Sequence, residues 1–227
     1  MIIELDSVGS TNTWLMQKVR AGHKGPLAVI AKTQSAGRGR GSHTFYSPPG
    51  GAYLSVLVQP TTPPERMYTI TISAAAKTAQ CISQLYGITP DIKWTNDLMY
   101  GGKKLCGILV QGLNMDGRWY AVVGIGVNVL NDKLPGGAVS LSQLVNNPAP
   151  PKTLAALIAE SLQKPLDFAD DFEYYKAHLI TLGKKVRYLY NGEAIEGIAA
   201  DLLDDGALVI QTKAGPITAR FGEVERI

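Results

Sequence analysis

The fold is decided by residues 104–130, KLCGILVQGLNMDGRWYAVVGIGVNVL, in which two apolar runs flank a short polar turn. Residues 104–113 and 119–130 are rich in the β-branched and aliphatic side chains that strands favour. Between them, Asp116 and Gly117 supply the positive φ angles that a tight hairpin turn requires. The stretch therefore predicts a long antiparallel hairpin.

Shorter elements are predicted on both sides of this hairpin. The first helix follows Ser10, a residue type that caps helix starts, and the second closes with Gly87, a residue type that ends helices. This pattern predicts an α+β fold in which a mixed β-sheet carries helices on one face. The predicted helices are residues 11–21, 66–86, 153–163 and 166–180, and the predicted strands are 27–32, 52–59 and 92–94.

The texture changes after Gly183, where short apolar runs alternate with glycine-containing turns such as Asn191-Gly192. Strands are predicted at 184–190, 194–200, 207–212 and 217–221. Four or five strands in about 45 residues predict a small β-barrel, which is too small to be very stable alone. We therefore expect a catalytic domain over residues 1–182 and a barrel over 183–227 that docks on it.

Composition narrows the classes of protein. Hydrophobic residues make up 45% and charged residues 18% of the 227 residues, so the chain does not have the composition of a disordered protein. No apolar run in the sequence is long enough to cross a bilayer. Cys81 and Cys106 are too few for a disulfide framework, and the three histidines lack zinc-ligand spacing. A net charge of +3 does not indicate a nucleic-acid partner. The acidic start lacks the pattern of a secretion signal, so we expect a cytoplasmic protein.

The connection at residues 34–51 carries the first cluster of candidate functional residues. It contains QSAGRGRG at 34–41, where glycines alternate with Arg38 and Arg40. Glycine lets the backbone approach a ligand, and guanidinium groups favour phosphate or carboxylate. A flexible basic loop, or an Arg-Gly segment that touches RNA, is the alternative interpretation.

Two further clusters follow along the chain. One is KWTND at 93–97 with GGKKLCGIL at 101–109, and the other is GIGVNV at 124–129, where small residues interrupt an apolar strand. A charged hairpin and a β-bulge are the plain alternatives. Lys103 lacks the surrounding residues of a P-loop, and Gly124-Ile125-Gly126 lacks the third glycine of a dinucleotide-binding motif.

In this order and spacing, the motifs resemble those of the biotin protein ligases. The likeness covers almost the whole chain: STN at 10–12, GRGR at 37–40, KWxND at 93–97, KLxGIL at 104–109, GxGxN at 124–128 and the β-rich tail. The family's fold is a mixed sheet similar to that of class II aminoacyl-tRNA synthetases and biotin synthetases, with a small C-terminal SH3-like β-barrel. The resemblance thus implies the same α+β architecture as the periodicity.

The resemblance also implies an activity. The family activates biotin with ATP to biotinyl-5′-AMP and then transfers biotin to one lysine of the biotin carboxyl carrier protein of acetyl-CoA carboxylase. Mg²⁺ accompanies ATP, and no tightly bound metal is expected. Since the sequence begins at the catalytic domain, the expected type lacks the amino-terminal DNA-binding domain, with neither DNA nor a membrane as partner. Whether it forms a homodimer stays open.

Family positions matched by this sequence give the expected site. Arg38, Arg40 and Lys104 match the groups that neutralise the carboxylate and phosphate, so they are the expected catalytic residues. The expected biotin contacts are Ser10, Thr11, Asn12, Gln34, Arg38, Gly39, Arg40, Lys104, Gly107 and Gly124. The expected nucleotide contacts are Arg40, Asn96, Asp97, Lys104 and Asn128.

Several positions depart from the family pattern. The loop continues as GSHTF at 41–45, without the basic residues and tryptophan that are common there. Thr95 replaces a usual proline, Gln111 a frequent glutamate, and Ala138 lies where some relatives place an aromatic over adenine. These changes bear on loop dynamics and nucleotide affinity.

Two other functions are weighed against this one. Lipoate ligases and octanoyl transferases have a similar fold, but their loop resembles Arg-Arg-x-Ser-Gly-Gly-Gly, which residues 37–43 do not match. An RNA-binding module would use the Arg-Gly loop and the barrel, and its affinity would fall steeply with salt.

Overall fold

The structure is a computed structural model that describes residues 1–227, with Arg226 described by its backbone only. Its main sheet has seven strands in the order β1-β2-β3-β7-β6-β5-β4. The β1–β2 pair is parallel and the other pairs are antiparallel, so the predicted mixed sheet is confirmed. The strands are β1 Ile2–Val8, β2 Ala28–Gln34, β3 Gly51–Val58, β4 Asp91–Lys93, β5 Asp97–Tyr100, β6 Lys103–Met115 and β7 Arg118–Asn128.

The predicted central hairpin is the β6–β7 pair. Met115 pairs with Arg118, which leaves Asp116 and Gly117 as the two-residue turn, with φ angles of 53° and 72°. Positive φ at both positions matches the right-handed twist of the strands, as the Asp-Gly sequence predicts. β5 was missed by the prediction because it is short and begins with the polar residue Asp97.

Four helices accompany the sheet: α1 Thr11–Arg20, α2 Met67–Tyr86, α3 Pro151–Gln163 and α4 Phe168–Ala177. Ser10 caps α1 and Gly87, with φ of 70°, ends α2, both as predicted. α4 is shorter than the predicted 166–180, because Asp167 caps its start by accepting from Ala169 N and Asp170 N. No helix of the described residues has the length and apolar character needed to span a membrane.

Helices cover both faces of the main sheet. On one face, Leu15 of α1 packs with Val29 and Val122. On the other face, α2 and α3 pack with residues of opposite parity, such as Ile30 and Val123. The expectation of helices on one face is therefore correct for α2 and α3 and wrong for α1. β2 and β7 are apolar at consecutive positions, so both of their faces need cover.

The chain ends in a second, five-stranded antiparallel sheet, as predicted from its short strands and glycine turns. Its order is β11-β10-β9-β8-β12, and the fifth strand, β12, was not among the predicted ranges. The strands are β8 Lys185–Tyr190, β9 Glu193–Leu202, β10 Leu208–Thr212, β11 Gly215–Ala219 and β12 Glu223–Arg226.

The turn between β9 and β10 joins this second sheet to the larger part of the chain. The buried Trp94 donates from Nε1 to Gly206 O at 3.1 Å, and Tyr68 donates to Asp205 Oδ2 at 2.8 Å. Asp205 also pairs with Arg220 at 3.1 Å. The second sheet is thus held beside the start of α2 by hydrogen bonds as well as by apolar packing.

Candidate functional site

A hollow lies on the α1 face of the sheet, next to the first turn of that helix. Along β7 this face presents Tyr120 and Val122 beneath α1, then Gly124 beneath Asn12 in its first turn, and then Gly126 beneath Phe45. Since alternate residues of a strand share a face, the two glycines remove two side chains from the same row. The strand pattern thus makes a recess in the sheet beside the first turn of α1.

A cavity of about 220 Å³ occupies this region. Twelve of the thirteen residues expected at the site line it, including Arg38 and Lys104 from separate stretches of the chain. Asn128 is the exception. The twelve are Ser10, Thr11, Asn12, Gln34, Arg38, Gly39, Arg40, Asn96, Asp97, Lys104, Gly107 and Gly124.

Polar side chains at the start of α1 form a connected network. Gln34 Oε1 accepts from Thr11 N at 2.9 Å and from Thr11 Oγ1 at 3.1 Å. Asn12 donates from Nδ2 to Gln111 Oε1 at 3.0 Å and to Leu109 O at 3.3 Å. Gln34 in turn donates to Ser47 Oγ at 2.9 Å. These bonds fix the amide orientations around the cavity.

Ser55 of β3 belongs to this network and was missed by the sequence analysis. Its hydroxyl donates to Asn12 Oδ1 at 2.6 Å and lies 2.8 Å from Thr11 Oγ1. The signal that could have revealed it is a lone polar residue inside the apolar run of β3, where every neighbour is buried. A fully buried hydroxyl at such a position needs a partner.

The glycines of the recess make room for protein side chains. A Cβ at Gly124 would overlap the Asn12 amide, and one at Gly126 would overlap the ring of Phe45. At Gly107 a Cβ would lie 3.0 Å from the Phe45 ring and 3.2 Å from Lys104 Cε. At Gly124 the missing side chain therefore makes room for the Asn12 amide in this structure.

The connection from Gln34 to Gly51 folds back on itself over the recess. Gln34 bridges Ser47 and Arg38 bridges Thr44 in short antiparallel ladders. Gly39 N donates to His43 O at 2.8 Å. The connection is thus a small hairpin, which carries Phe45 onto the glycine floor.

Three cationic side chains line the cavity from two directions. Lys104 pairs through Nζ with Asp97 Oδ1 at 2.7 Å, and Arg38 lies on the exposed part of the hairpin. Arg40 donates from Nη1 to Thr95 Oγ1 at 3.2 Å and to Gly222 O at 2.8 Å.

Arg40 is the most enclosed of these cations. Burial lowers its pKa, and the nearby negative charges of Asp97 and Glu223 oppose that effect. Because an arginine side chain keeps its charge in proteins, Arg40 remains a cation here. The cavity therefore has three cationic side chains, Arg38, Arg40 and Lys104, among its lining residues, with Asp97 paired to Lys104.

Asn96 and Asn128 support the site through the backbone. Asn96 donates from Nδ2 to Ile108 O at 2.9 Å. Asn128 donates to Val139 O at 3.2 Å and more weakly to Lys104 O at 3.4 Å, and it lies outside the cavity lining. Both amides hold the strand that presents Lys104.

The cavity also touches the second sheet, which the sequence analysis did not foresee. Glu223 of β12 lines it and lies 3.3 Å from His43 Nε2 on the hairpin. Together with the bond from Arg40 to Gly222 O, this contact ties the hairpin to the C-terminal sheet.

Two family models match the sequence. The model of the biotin/lipoate A/B protein ligase family matches residues 5–128, and that of the biotin protein ligase C terminal domain matches residues 181–226. The first match covers more than half of the chain and most of the residues that line the cavity.

Curated proteins that are similar to this chain in sequence are named as ligases. The bifunctional ligase/repressor BirA of Bacillus subtilis is 31% identical over 207 residues, which are 82% of this chain and 62% of that protein. The biotin–acetyl-CoA-carboxylase ligase of Mycobacterium tuberculosis is 29% identical, covering 95% of this chain and 85% of its own. The chain thus spans about three fifths of the length of the Bacillus relative.

The structural match is strong at low identity. The biotin protein ligase of Aquifex aeolicus, solved with biotin and ATP, superposes with a TM-score of 0.84 at 22% identity over 100% of this chain and 99% of that one. The Leishmania major enzyme with biotinyl-5-AMP gives 0.67 at 24% identity, over 100% and 98%. The mixed sheet and the second sheet are therefore a shared fold.

Proposed function

The chain belongs to the biotin/lipoate A/B protein ligase family, and from that premise we propose that it is an ATP-dependent biotin protein ligase. It activates biotin to biotinyl-5′-AMP and transfers biotin to a lysine of the biotin carboxyl carrier protein of acetyl-CoA carboxylase. The observation that carries the proposal is the meeting of Arg38, Arg40 and Lys104 above one cavity whose other end is a polar network at the start of α1. The names of the relatives support biotin as the acid.

Biotin has a polar ureido ring system and a carboxylate tail, and the two ends of the cavity suit these groups. Ser10, Thr11 and Gln34 offer hydroxyl and amide groups at one end, where a few placed polar groups set orientation. The carboxylate would then face the cations. In this structure Asn12 acts through Ser55 and Gln111, so we propose that it positions the network.

The cations serve the first reaction. A biotin carboxylate oxygen attacks the α-phosphorus of ATP, the new O–P bond forms, and pyrophosphate leaves. Two anions must approach, so Arg38, Arg40 and Lys104 offset their repulsion and align them. Mg²⁺ enters as part of the ATP substrate and shields the pyrophosphate. Asn96 and Asp97 lie on the Lys104 side, where we propose the nucleotide binds, and Asn128 braces that side from behind.

Ligand entry requires the hairpin to move. The cavity of about 220 Å³ is below the range of about 300–1,000 Å³ that small-molecule sites usually have. Phe45 contacts the floor at Gly107 and Gly126, so its ring occupies space beside the cations. We infer that residues 37–45 shift when substrates bind and then exclude water from the adenylate.

Three further parts belong to this proposal. Residues 1–182 form the catalytic domain and residues 183–227 the C-terminal barrel. A reaction that consumes ATP and modifies a metabolic enzyme supports a cytoplasmic location. Measurement of the mass in solution decides whether the protein forms a homodimer.

The test is biotin-dependent exchange of labelled pyrophosphate into ATP. Lys104→Ala is expected to lower the exchange rate about 10- to 100-fold, the value of one charge-assisted hydrogen bond. Lys103→Ala, which removes the exposed neighbouring lysine, is the matched control and should change little. Full activity of the Lys104 variant would refute the assigned role, and exchange that depends on lipoate instead of biotin would move the protein to the acyl ligases of the same family.

A further inference from the structure

A groove of about 570 Å³ separates the second sheet from α2 and β6. Its walls are mainly apolar and aromatic, and two of these side chains, Tyr190 and Phe221, are 44% and 40% exposed. Phe221 meets Tyr68 edge to face at 5.8 Å between ring centroids. Aromatic side chains left open in a groove indicate a surface that something covers.

The groove leads into the cavity of the first reaction. Four residues line both: Arg40, Ile108, Leu109 and Glu223. Arg40 stands at this junction, bonded to Thr95 on one side and to Gly222 on the other. A molecule lying in the groove would therefore have its inner end beside the cations of the cavity.

Two carboxylates line the groove, Glu193 and Glu223, and of these only Glu223 also lines the cavity. Asp97, the other carboxylate of the cavity, is paired with Lys104 at 2.7 Å. Glu223 lies 3.3 Å from His43, with its side chain 38% exposed. Arg220, at the groove wall, is already paired with Asp205 at 3.1 Å. Glu223 is thus the groove carboxylate that a cation entering the cavity would meet.

We propose that this groove is the entrance for the acceptor lysine and that Glu223 receives its ammonium group at the junction. A lysine has an apolar four-carbon stem and a cationic head, which matches apolar walls that end at a carboxylate. The inference rests on the proposed function, since only an acyl transfer to lysine supplies this substrate. It adds the route of the second substrate and a residue of the C-terminal sheet that contacts it.

The transfer step balances as follows. The ammonium pairs with Glu223 and loses one proton through that carboxylate to solvent, which leaves a lone pair on nitrogen. The amine forms a C–N bond with the acyl carbon of biotinyl-5′-AMP while the bond from that carbon to the phosphate oxygen breaks. AMP leaves, and the second proton is released to solvent as the amide forms.

The experiment measures the two half-reactions separately. Biotin-dependent pyrophosphate exchange reports adenylation, and single-turnover transfer from preformed adenylate to the apo carrier domain of acetyl-CoA carboxylase reports the second step. Glu223→Gln is expected to lower the ratio of transfer to exchange about tenfold, and Glu223→Asp should recover part of it. Glu225→Gln, on the same strand outside both cavities, is the control and should keep the ratio.

His43→Ala separates a lysine contact from a hairpin contact. It removes the same contact between residues 43 and 223 as Glu223→Gln but keeps the carboxylate, so the ratio of transfer to exchange should stay within about threefold of the unmodified protein even where both rates fall. A ratio lowered as much by His43→Ala as by Glu223→Gln would show that Glu223 acts through the hairpin and would overturn the proposal. An unchanged ratio in Glu223→Gln would do the same.

The route is tested at the groove wall. Thr71 of α2 lines the groove and not the cavity. Thr71→Phe should raise the KM for the carrier domain about tenfold at unchanged exchange, whereas Thr71→Ser should alter neither. An unchanged KM in Thr71→Phe would place the entrance elsewhere. Absence of exchange in the unmodified protein would instead refute the proposed function, and the route with it.

Discussion

At the scale of single residues, the recess depends on a fit between Asn12 and Gly124. The amide of Asn12 fills the volume that a Cβ at position 124 would need. Its Oδ1 accepts from Ser55, and its Nδ2 donates to Gln111, so the amide cannot move without loss of both bonds. Gly124→Ala therefore forces a change in the polar end of the cavity.

We expect Gly124→Ala to weaken biotin binding about tenfold or more, because displaced amides misplace Thr11 and Gln34. Isothermal titration with biotin measures this. Asn12→Ala with Gly124→Ala removes the overlap, so the double variant should bind better than additivity predicts. Additive losses would show that the amide and the glycine act independently.

Residue identity at the site was largely predictable, whereas residue contact was not. The polar and basic positions follow from ordered motifs, and twelve of the thirteen line one cavity. What fills the space above each glycine depends on side chains far away in sequence: Phe45 reaches Gly126 from the hairpin. A single sequence gives no such distance information, so the roles of Gly124 and Ser55 needed coordinates.

At the scale of elements, the hairpin over the recess is the part expected to move. It is held to the rest of the protein by Arg40, through Thr95 and Gly222, and by His43, through Glu223. We expect Arg40→Gly to release biotinyl-5′-AMP into solution roughly tenfold faster, because both bonds of the guanidinium are lost.

The measurement is the free adenylate formed after mixing with biotin and ATP without acceptor. Arg40→Lys keeps the charge but cannot keep both contacts, so it should show intermediate release. Release at the rate of the unmodified protein in Arg40→Gly would contradict a retaining role for these two bonds.

Element boundaries show why periodicity alone was incomplete. Long apolar strands such as β7 were predicted because every inward position is apolar or small. β5 and β12 were missed because they have only four residues each and include charged ones. Short edge and connecting strands are defined by the partner they pair with, which for β12 is β8.

At the scale of the whole molecule, Asp205 joins the second sheet to the first. Burial alone would raise its pKa, but the N–H of Ala207 and the side chains of Tyr68 and Arg220 lower it below the ordinary 3.8. A carboxylate whose folded pKa is depressed stabilises the fold above its unfolded pKa. The stabilisation is lost as the pH falls through the lower, folded pKa.

Asp205→Asn should therefore reduce the free energy of unfolding at pH 7 by about 1–2 kcal/mol, with allowance for partial exposure. The difference in the free energy of unfolding between the variant and the unmodified protein should narrow once the pH falls below 3.8. Urea titrations at several pH values measure it, and Asp204→Asn, an exposed neighbour, is the control. A gap that stays constant across that range would contradict the assigned ionisation.

The contacts between the two sheets could not be predicted from the sequence, because they join residues that are far apart along the chain. The bond from Trp94 to Gly206 joins residues 112 positions apart, and that from Arg40 to Gly222 joins residues 182 apart. Local patterns predicted each sheet but carry no signal for such pairs.

Arg40 belongs both to the cavity and to the contact with the C-terminal sheet. Its Nη1 donates to Gly222 O, and the same side chain lines the cavity in which we propose that the phosphates bind. If bound nucleotide draws the Arg40 guanidinium away from Gly222, the C-terminal sheet is held less tightly. Because coupling between two binding sites is reciprocal, a protein that binds the sheet in this released position raises the affinity for nucleotide by the same factor by which nucleotide raises the affinity for that protein. A partner that contacts the C-terminal sheet would then respond to whether nucleotide is bound in the cavity.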